Sequence, residues 1–385
     1  MGRIKETAER REATRVPVSF VPSVPPVRAI LRPAALAVAA LGAEWAGLVA
    51  AASEPNAFAE HWFVAAALRT SPEGRNVQMI EARRGARLIG LLFFEIVRGY
   101  ARLPVLVVRN WCHDHAFLGT PLVAAGEEKA FWDAAIGALN DAQLPANLVH
   151  LWRMAEGGPV QSALGGAIVH RRMRAFLQSD LAPAAYYEQA MRQKKRKELR
   201  RLRNRLADLG AVEARILEDR AELDAWCDAY LALEKSGWKG REGTALACAP
   251  HSEAFFREAL AAAWDAGRLQ FRRLDLDGRP IAMLVNFLCP PGSFSFKTAF
   301  DEDFAHYSPG VLLQIENLDI LDRPGIAWMD SCAAQDHPMI DSLWTERRAI
   351  VRVTVPLDGW RRKMVWAFCR ALEIASARLR RGNAL

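Results

Sequence analysis

Apolar and polar positions recur along the chain with two different periods, which together predict an α+β fold. In the first half, short apolar runs of strand length follow one another and are separated by turn residues. These runs predict strands at 77–83, 87–97, 105–109, 117–123, 148–153 and 168–177. Residues 127–140 instead place Phe131, Ala135 and Leu139 on one side of a predicted helix. The first half therefore predicts mixed strands and helices, without a motif that indicates a reaction.

The second half has a sharper pattern, centred on residues 270–321. Asp277-Gly278 stands between two apolar runs, which is the strongest short-range signal for a β-hairpin because both turn residues need positive φ. A third strand is predicted at 293–300 and a polar loop at 301–307. Ser308-Pro309-Gly310 then opens a predicted helix, with Ser308 as N-cap and Pro309 at a position that needs no N–H.

The start of this helix is a candidate anion site. Gly310 has no side chain, so a phosphate can approach the first free N–H groups of the helix closely. The signal is weak by itself, because most helix N-termini bind only water or their own cap. The other elements predicted after residue 180 are helices at 183–209, 221–235, 252–266, 339–347 and 360–380, and strands at 212–217, 326–330 and 349–355.

Three segments carry a resemblance to a known family: SGWKGREGTAL (236–246), KTAFDEDFAHYSPGVLL (297–313) and MDSCAAQDHPMIDSLW (329–344). They resemble the CelD-type branch of the GNAT acetyltransferases. These bacterial proteins are linked to polysaccharide and lipid biosynthesis and are related to the FemAB peptidyltransferases. The resemblance covers most of 180–360 and, more faintly, 40–180.

The resemblance implies two GNAT-like domains in tandem, each a mixed, mostly antiparallel sheet flanked by helices. We expect a disordered tail at 1–30, where prolines follow a charged segment without periodicity. An N-terminal GNAT-like domain is then expected at 31–180. A C-terminal acyltransferase domain is expected at 181–385, including the basic helix 183–209. The N-terminal domain would supply one wall of the acceptor cleft.

The resemblance also implies an acyl-thioester donor, acetyl-CoA or another acyl-CoA used as co-substrate, and no metal. In that fold the pantetheine arm lies between the two strands that flank the Ser-Pro-Gly helix, and the pyrophosphate lies on the N-terminus of that helix. The residues expected to bind the donor are Ser308, Pro309, Gly310, Val311 and Lys297.

The glycine-rich loop at 236–244 is the candidate substrate-binding segment. Trp238 offers a flat apolar wall, and Lys239 and Arg241 stand nearby as partners for an anion. A turn anchored by a buried tryptophan is the alternative interpretation.

Acyl transfer from a thioester needs a base for the acceptor proton, an N–H donor for the oxyanion and an acid for the departing thiolate. Asp301 and Asp330 follow predicted strands, and His337 lies close enough in sequence to Asp330 for an Asp–His pair. Tyr307 is a candidate acid. A capping or purely structural role remains open for Asp330.

Two alternatives involve other chemistry. Cys332 could act as a nucleophile with His337 as base, although GNAT-type enzymes as a family transfer the acyl group directly. His113 and His115 would share one face of a strand, as metal ligands do, but no third ligand is evident.

The net charge of +7 is confined to one segment. Residues 192–205 hold nine Lys or Arg and one Glu, a net charge of +8, so the remaining chain is close to neutral. This segment can be a solvated helix face, or it can contact ligand phosphates, an acidic membrane surface or RNA. No aromatic RNA-binding motif accompanies the charge, so nucleic acid is the weaker alternative.

Composition limits the remaining classes. The six cysteines are scattered without a paired spacing, which favours a reducing compartment and argues against a zinc site or a disulfide framework. Charges of both signs fill the first fifteen residues, unlike a signal peptide, and the apolar run 34–52 is rich in alanine and interrupted by Glu44. We therefore expect a cytoplasmic protein.

The leading hypothesis is an acyl-CoA-dependent N- or O-acyltransferase that acts on a polysaccharide, amino-sugar or lipid precursor. FemAB-like aminoacyl transfer from charged tRNA and a non-catalytic module that binds membrane or a biosynthetic complex are the alternatives. The sequence leaves the oligomeric state open.

Overall fold

The structure is a computed structural model that describes residues 25–100 and 103–382, with side chains described as far as residue 376. The strands are β1 (Val27–Pro33), β2 (Gln78–Arg84), β3 (Arg87–Tyr100), β4 (Leu103–Asn110), β5 (Leu122–Val123), β6 (Leu148–Ala155), β7 (Ala167–Leu177), β8 (Val212–Ile216), β9 (Leu269–Leu276), β10 (Arg279–Cys289), β11 (Gly292–Phe300), β12 (Trp328–Asp330) and β13 (Glu346–Pro356). The helices are α1 (Ala34–Ala40), α2 (Gly42–Ala51), α3 (His61–Thr70), α4 (Glu128–Asp141), α5 (Pro159–Leu164), α6 (Pro183–Ala190), α7 (Gln193–Ala207), α8 (Leu223–Ser236), α9 (Trp238–Arg241), α10 (Pro250–Asp265), α11 (Pro309–Glu316), α12 (Pro338–Asp341) and α13 (Trp360–Gly382).

All the strands belong to one continuous sheet. Its order is β1-β2-β3-β4-β6-β13-β7-β12-β11-β10-β9-β8, with β5 paired to β3. Neighbours are antiparallel except for β4 with β6 and β11 with β12. Each half of the sheet therefore contains one parallel pair, and a helix, α4 or α11, lies between the two strands of that pair along the chain.

Strands from the two halves of the chain alternate at the centre of the sheet. The last strand, β13, lies between β6 and β7, and β7 in turn pairs with β12. Representative partners are Val353 with Leu151 and Met329 with Leu177. The two domains that were expected to meet near residue 180 are therefore joined by backbone hydrogen bonds between strands of both halves.

An aromatic core also joins the two halves. The Phe58 ring from the first half packs edge-on against Phe287 and Phe294 from the second, with centroids 6.5 and 5.2 Å apart. Phe63 packs against Phe255 of α10 in the same way, at 5.2 Å. Such contacts add to the area buried by the rings themselves. One face of the sheet, carrying α3, α8 and α10, is therefore covered by residues of both halves.

The hairpin prediction is confirmed. Asp277 and Gly278 have φ of +50° and +78°, as a two-residue turn between β9 and β10 requires. The helix predicted after Ser308 is also present, although α11 ends at Glu316 and a 3₁₀ segment follows it.

Several predicted boundaries are wrong. The helix predicted at 183–209 is two helices, because Met191 adopts an extended conformation and is buried between α6 and α7. The helix predicted at 339–347 ends at Asp341, since β13 begins at Glu346. Most of the strand predicted at 117–123 is a loop, and only Leu122–Val123 is paired.

The tail prediction at 1–30 extends too far along the chain. Val27 already begins β1, which pairs along its whole length with β2. The rest of that prediction, residues 1–24, lies outside the described residues.

Within the described ranges, no single helix is both long and apolar enough to cross a membrane. The α1 and α2 segments reach that length and composition only when counted together across a bend of 88°.

Candidate active site

The parallel strands β11 and β12 separate after a short paired stretch. Gly292, Ser293 and Phe294 pair with Trp328, Met329 and Asp330, and β11 then continues to Phe300 without a strand on that side. The free edge of β11 therefore exposes backbone groups that a ligand can pair with, in the manner of an added strand. The chain turns from the end of β11 into α11, so the start of this helix lies close to the gap.

The corresponding gap in the first half is filled by protein. Asn110 at the end of β4 donates from its amide nitrogen to the carbonyls of Trp152 and Gly119, 2.9 Å each, and accepts the Trp152 N–H at 2.6 Å. A side chain at Gly119 would collide with the Trp152 carbonyl, which a Cβ would approach to 2.2 Å. Among the described residues, the gap of the first half is therefore filled, whereas the edge of β11 beyond Phe294 has no strand beside it.

The first turn of α11 differs in detail from the predicted phosphate cradle. Ser308 has left-handed backbone angles and is half-buried, and its carbonyl accepts the N–H groups of Val311 and Leu312 at 3.0 Å each. A Cβ on Gly310 would lie 3.4 Å from both Phe300 and Met339. Gly310 therefore makes room for these two side chains, while Ser308 is the more exposed part of the turn.

The basic helix α7 packs beside α11. Leu199 and Leu202 belong to the same apolar cluster as Val311 and Ile315, and Leu206 packs in a cluster with Leu312. These leucines recur at helical spacing and form an apolar stripe along α7, whereas Leu209 follows the helix and is exposed. Lys194, Lys197, Arg200, Arg201 and Arg205 remain exposed. The proposed membrane-binding role of 192–205 stays a prediction, and the same cations lie on the helix that flanks the start of α11.

Lys297, which was expected to bind the donor, lies on the opposite face of the sheet from α11. It pairs with Val285, whose side chain belongs to the aromatic core, whereas Ser295 and Thr298 face Gln314 of α11. The reason is a β-bulge, in which Phe296 is an extra residue between Ser295 and Lys297. Without it, Lys297 would share the face of Ser295.

The surroundings of Lys297 change its ionisation. The amine lies 5.4 and 5.9 Å from the ring centroids of Phe296 and Phe117. Loss of solvation lowers the pKa of Lys297 to about 8, with the Glu234 carboxylate opposing the shift and the Lys239 cation adding to it. A lysine with such a pKa can exchange a proton near neutral pH.

His113 and His115 also belong to the surroundings of Lys297. His113 packs on the Phe255 ring with centroids 4.1 Å apart. Burial lowers the pKa of His113 to about 4 and that of His115 to about 2, so both rings are neutral at pH 7. Among the residues that the structure describes, no group of three or more His, Cys, Asp or Glu side chains is arranged to hold a metal ion.

The predicted substrate-binding loop docks on the segment that follows β11. The Trp238 N–H and the Arg241 guanidinium both donate to the Glu302 carboxylate, at 2.7 Å each. Lys239 forms an ion pair with the buried Glu234, also at 2.7 Å. The Trp238 ring is half exposed, so the alternative of a buried anchoring tryptophan does not apply. The loop thus borders the end of β11, near Lys297.

Asp330 is paired with arginines and not with His337. Its fully buried carboxylate accepts from Arg174 at 2.5 Å, from Arg348 at 3.1 Å and from the Cys332 N–H at 3.0 Å. A carboxylate held by two guanidinium groups is poorly placed to take a proton from a substrate. The geometry favours the structural role that the sequence left open.

The other two candidate catalytic residues lie near the start of α11. Asp301 caps a separate 3₁₀ segment, Glu302–Tyr307, through the Asp303 N–H at 3.0 Å and pairs with Arg279 at 2.5 Å. Tyr307 is buried in the cluster that holds Leu206 and Leu312. Neither shares the face of Lys297, and their catalytic roles stay predictions.

Phe117 and Glu234, two of the residues near Lys297, have no predicted role in the sequence. Phe117 comes from a loop of the first half, and Glu234 lies in the last turn of α8, just before the glycine-rich loop. Arg174 and Arg348 carry no sequence signal of their own. A buried glutamate near the end of a helix that leads into a glycine-rich loop is the only feature that could have drawn attention to Glu234.

Cys332→Ala is expected to leave activity within a few-fold of the wild-type rate. Burial and the Asp330 carboxylate raise the pKa of the Cys332 thiol well above its ordinary value, so the thiolate that a nucleophile needs is scarce. Steady-state kinetics of the purified variant test this. A loss of more than about a hundredfold, with the thermal unfolding midpoint unchanged, would support the covalent mechanism instead.

This chain is similar to known proteins both in part of its sequence and in its fold. Residues 193–337 match the sequence profile of the acetyltransferase (GNAT) domain. The structure of FemX aligns with 82% of this chain and 96% of that chain at 10% identity and a TM-score of 0.53, which shows a shared fold. No curated protein sequence matches the chain.

Two other solved structures align with this chain at lower TM-scores. One is a tandem GNAT protein from the clavulanic acid biosynthesis pathway, with 16% identity, coverage of 86% and 99%, and a TM-score of 0.43. The other is the C-terminal domain of a putative lysylphosphatidylglycerol synthetase from Agrobacterium fabrum, with 12% identity, coverage of 88% and 96%, and a TM-score of 0.49.

The predicted fold class, α+β with two GNAT-like halves in tandem, is confirmed, and the finer assignment to the CelD-type branch stays a prediction. The matched residues contain the separated strands, α11 and Lys297. Residues 193–337 of this chain therefore match the acetyltransferase (GNAT) domain, which supports an acyltransferase, and the chain shares its fold with FemX.

Proposed function

We propose that this enzyme transfers an acyl group from acetyl-CoA or another acyl-CoA directly to an amine or hydroxyl group of an acceptor. The acceptor classes that the sequence favours are polysaccharide, amino-sugar and lipid precursors. The observation that carries the proposal is the unpaired edge of β11 beyond Phe294, next to the start of α11. The matching gap of the first half is closed by Asn110, which supports the second half as the donor site.

The residues around this gap fit a thioester donor with a diphosphate. The free edge of β11 can hydrogen-bond an amide-containing arm, as a neighbouring strand would. The start of α11 favours negative charge, and the exposed cations of α7 stand on the adjoining helix. The Phe300 and Met339 side chains pack closely beside Gly310 in the first turn of α11.

Lys297 is the residue that we assign to proton transfer. The donor supplies a carbonyl carbon activated by its bond to sulfur. As the acceptor nitrogen or oxygen attacks that carbon, neutral Lys297 takes the acceptor proton. The carbon–sulfur bond then breaks, and the protonated amine can return the proton to the departing thiolate. A pKa of about 8 suits both steps.

Acyl-CoA binding is expected to stabilise the wild-type chain and to be impaired in Ser308→Asp. At a ligand concentration of 100 times Kd, binding adds about 2.7 kcal/mol to the free energy of unfolding. Aspartate tolerates the left-handed angles of Ser308 and suits a helix N-terminus, so the variant should fold, but its charge repels a diphosphate. Thermal unfolding with CoA, acetyl-CoA and longer acyl-CoAs measures the effect.

Ser308→Asn is the matched control, because it has the same shape without the charge and should retain the stabilisation. If acyl-CoA raises the unfolding midpoints of Ser308→Asp and Ser308→Asn equally, the donor does not bind at the start of α11. If no acyl-CoA stabilises the chain, whereas charged tRNA binds with an affinity that falls steeply with salt, aminoacyl transfer becomes the better assignment.

A further inference from the structure

The face of the sheet that carries Lys297 also has a cavity, which lies near the centre of the sheet. It has a volume of about 320 Å³ and reaches from Cys332, just beyond β12, to Trp152 and Arg352. Phe117 lines it and also contacts Lys297, so the cavity adjoins the proposed proton-transfer residue. The volume equals that of about ten water molecules, which is enough for a small polar molecule or headgroup.

Cations dominate the polar part of its wall. Arg153, Arg172 and Arg352 all line the cavity, and none of them forms an ion pair with a carboxylate within the described residues. Arg174 also lines it but is neutralised by Asp330. No Asp or Glu is among the lining residues. The space therefore holds three guanidinium groups without a protein counter-charge.

The arginines are held in this unfavourable arrangement by the surrounding sheet. The Arg352 guanidinium lies over the Trp152 ring, 4.1 Å from its centroid. Arg153 donates to the carbonyls of His113 and Ala116, not to an acid. Burial, followed by the charges of Arg172, Arg153 and Arg109, lowers the pKa of Arg352. Arg109 stacks on the same ring but is neutralised by Glu95.

Two β-bulges place these side chains together. The register of β13 shifts on both sides of Arg352, once against β6 at Trp152 and Arg153 and once against β7. Arg153 adopts φ of +56°, a conformation that costs free energy for a residue with a side chain. Bulges re-aim side chains and are common next to active sites. The strain and the mutual repulsion indicate that a ligand compensates both.

We propose that this cavity binds a phosphate group of the acceptor, with Arg172 and Arg352 as its main ligands and Trp152 as the wall for the attached moiety. Calling the bound molecule the acceptor rests on the proposed function, whereas the anion site itself does not. Guanidinium groups bind phosphate oxygens in a bidentate manner, and three of them match a group with two negative charges. A bound phosphate ester would direct the rest of the molecule towards Lys297.

The test uses the full-length chain and isothermal titration with inorganic pyrophosphate in the presence of saturating CoA, so that the diphosphate site proposed at the start of α11 is already occupied. Arg172→Gln and Arg352→Gln, singly and together, are expected to raise the Kd by about tenfold or more, as loss of a charge-assisted bond should. Arg171→Gln is the matched control, because Arg171 is the next residue on β7 and is paired with Glu156. It should leave the Kd unchanged. Pyrophosphate affinity that survives in the double variant, with folding intact, would overturn the proposal.

Acetyl-CoA titrated into the same variants separates the two proposals. Unchanged acetyl-CoA affinity in the double variant supports an acceptor site, whereas a parallel loss would show that the donor occupies the cavity and would overturn the assignment. Pyrophosphate binding without any acyl-CoA binding would keep the anion site and refute the proposed donor. A soluble hexosamine phosphate and vesicles containing phosphatidylglycerol then distinguish a sugar phosphate from a lipid headgroup as the source of the phosphate.

Discussion

Lys297→Met is expected to lower kcat/KM by about 10²- to 10⁴-fold, the usual contribution of a positioned proton-transfer group. The wild-type activity should rise with pH and level off above about 8, because only the neutral amine accepts the acceptor proton. The variant should lose this pH dependence along with its activity. Steady-state kinetics from pH 6 to pH 10 measure both.

The same substitution is expected to stabilise the fold. The pKa of Lys297 is about 8 in the folded state and 10.5 in its ordinary environment, so the unfolded chain binds more protons between these values. Stability therefore rises with pH through this window, and the cost of the buried charge is complete below pH 8. Lys297→Met removes this cost, which is about 3 kcal/mol at most. Urea unfolding at pH 7 provides the measurement.

Lys297→Arg distinguishes a base from a simple cation. Arginine stays protonated at every relevant pH and cannot take the acceptor proton. We therefore expect it to be as inactive as the methionine variant. Full activity in Lys297→Arg, with a flat pH profile, would show that the charge alone matters and that another group takes the proton.

Asp330→Asn is expected to destabilise the chain by about 3–5 kcal/mol, the cost of breaking a buried ion pair by removing one partner. The substitution leaves Arg174, whose side chain is 7% exposed, and Arg348 without a counter-charge. The contact between β12 and β7 depends on this triad, because Asp330 pairs with Phe176 at the junction of the two halves. Urea unfolding of the purified variant measures the change.

Asp336→Asn is the control, since Asp336 lies in the same loop, is exposed and has a left-handed backbone that asparagine tolerates. This substitution should leave the free energy of unfolding unchanged. A normally stable Asp330→Asn variant that has lost activity would restore the catalytic role that the sequence suggested for Asp330.

Local chemistry explains which features the sequence predicts correctly. The Asp277-Gly278 turn and the Pro309 helix start depend on residues adjacent in the chain, and both are present. The placement of Lys297 depends on a single extra residue in β11. A bulge at Phe296 leaves no reliable signature in one sequence, yet it moves Lys297 across the sheet.

Contacts between distant segments account for the rest of the site. Asn110 closes the first gap only because β6 lies beside β4, and Arg352 meets Arg172 only because β13 enters between β6 and β7. A pairing of strands almost 200 residues apart is not encoded in the periodicity of either strand. The sequence therefore does not predict that the arginines of the cavity lie close to one another.

The placement of β13 between β6 and β7 also limits how the molecule can move. The two halves cannot swing apart about a hinge, because such a motion would break the main-chain bonds of the central strands. The central sheet that carries the site is therefore expected to behave as one rigid unit. Substrates must therefore enter and leave at the edges of the site, and any gating motion is confined to connecting segments such as 331–345, between β12 and β13.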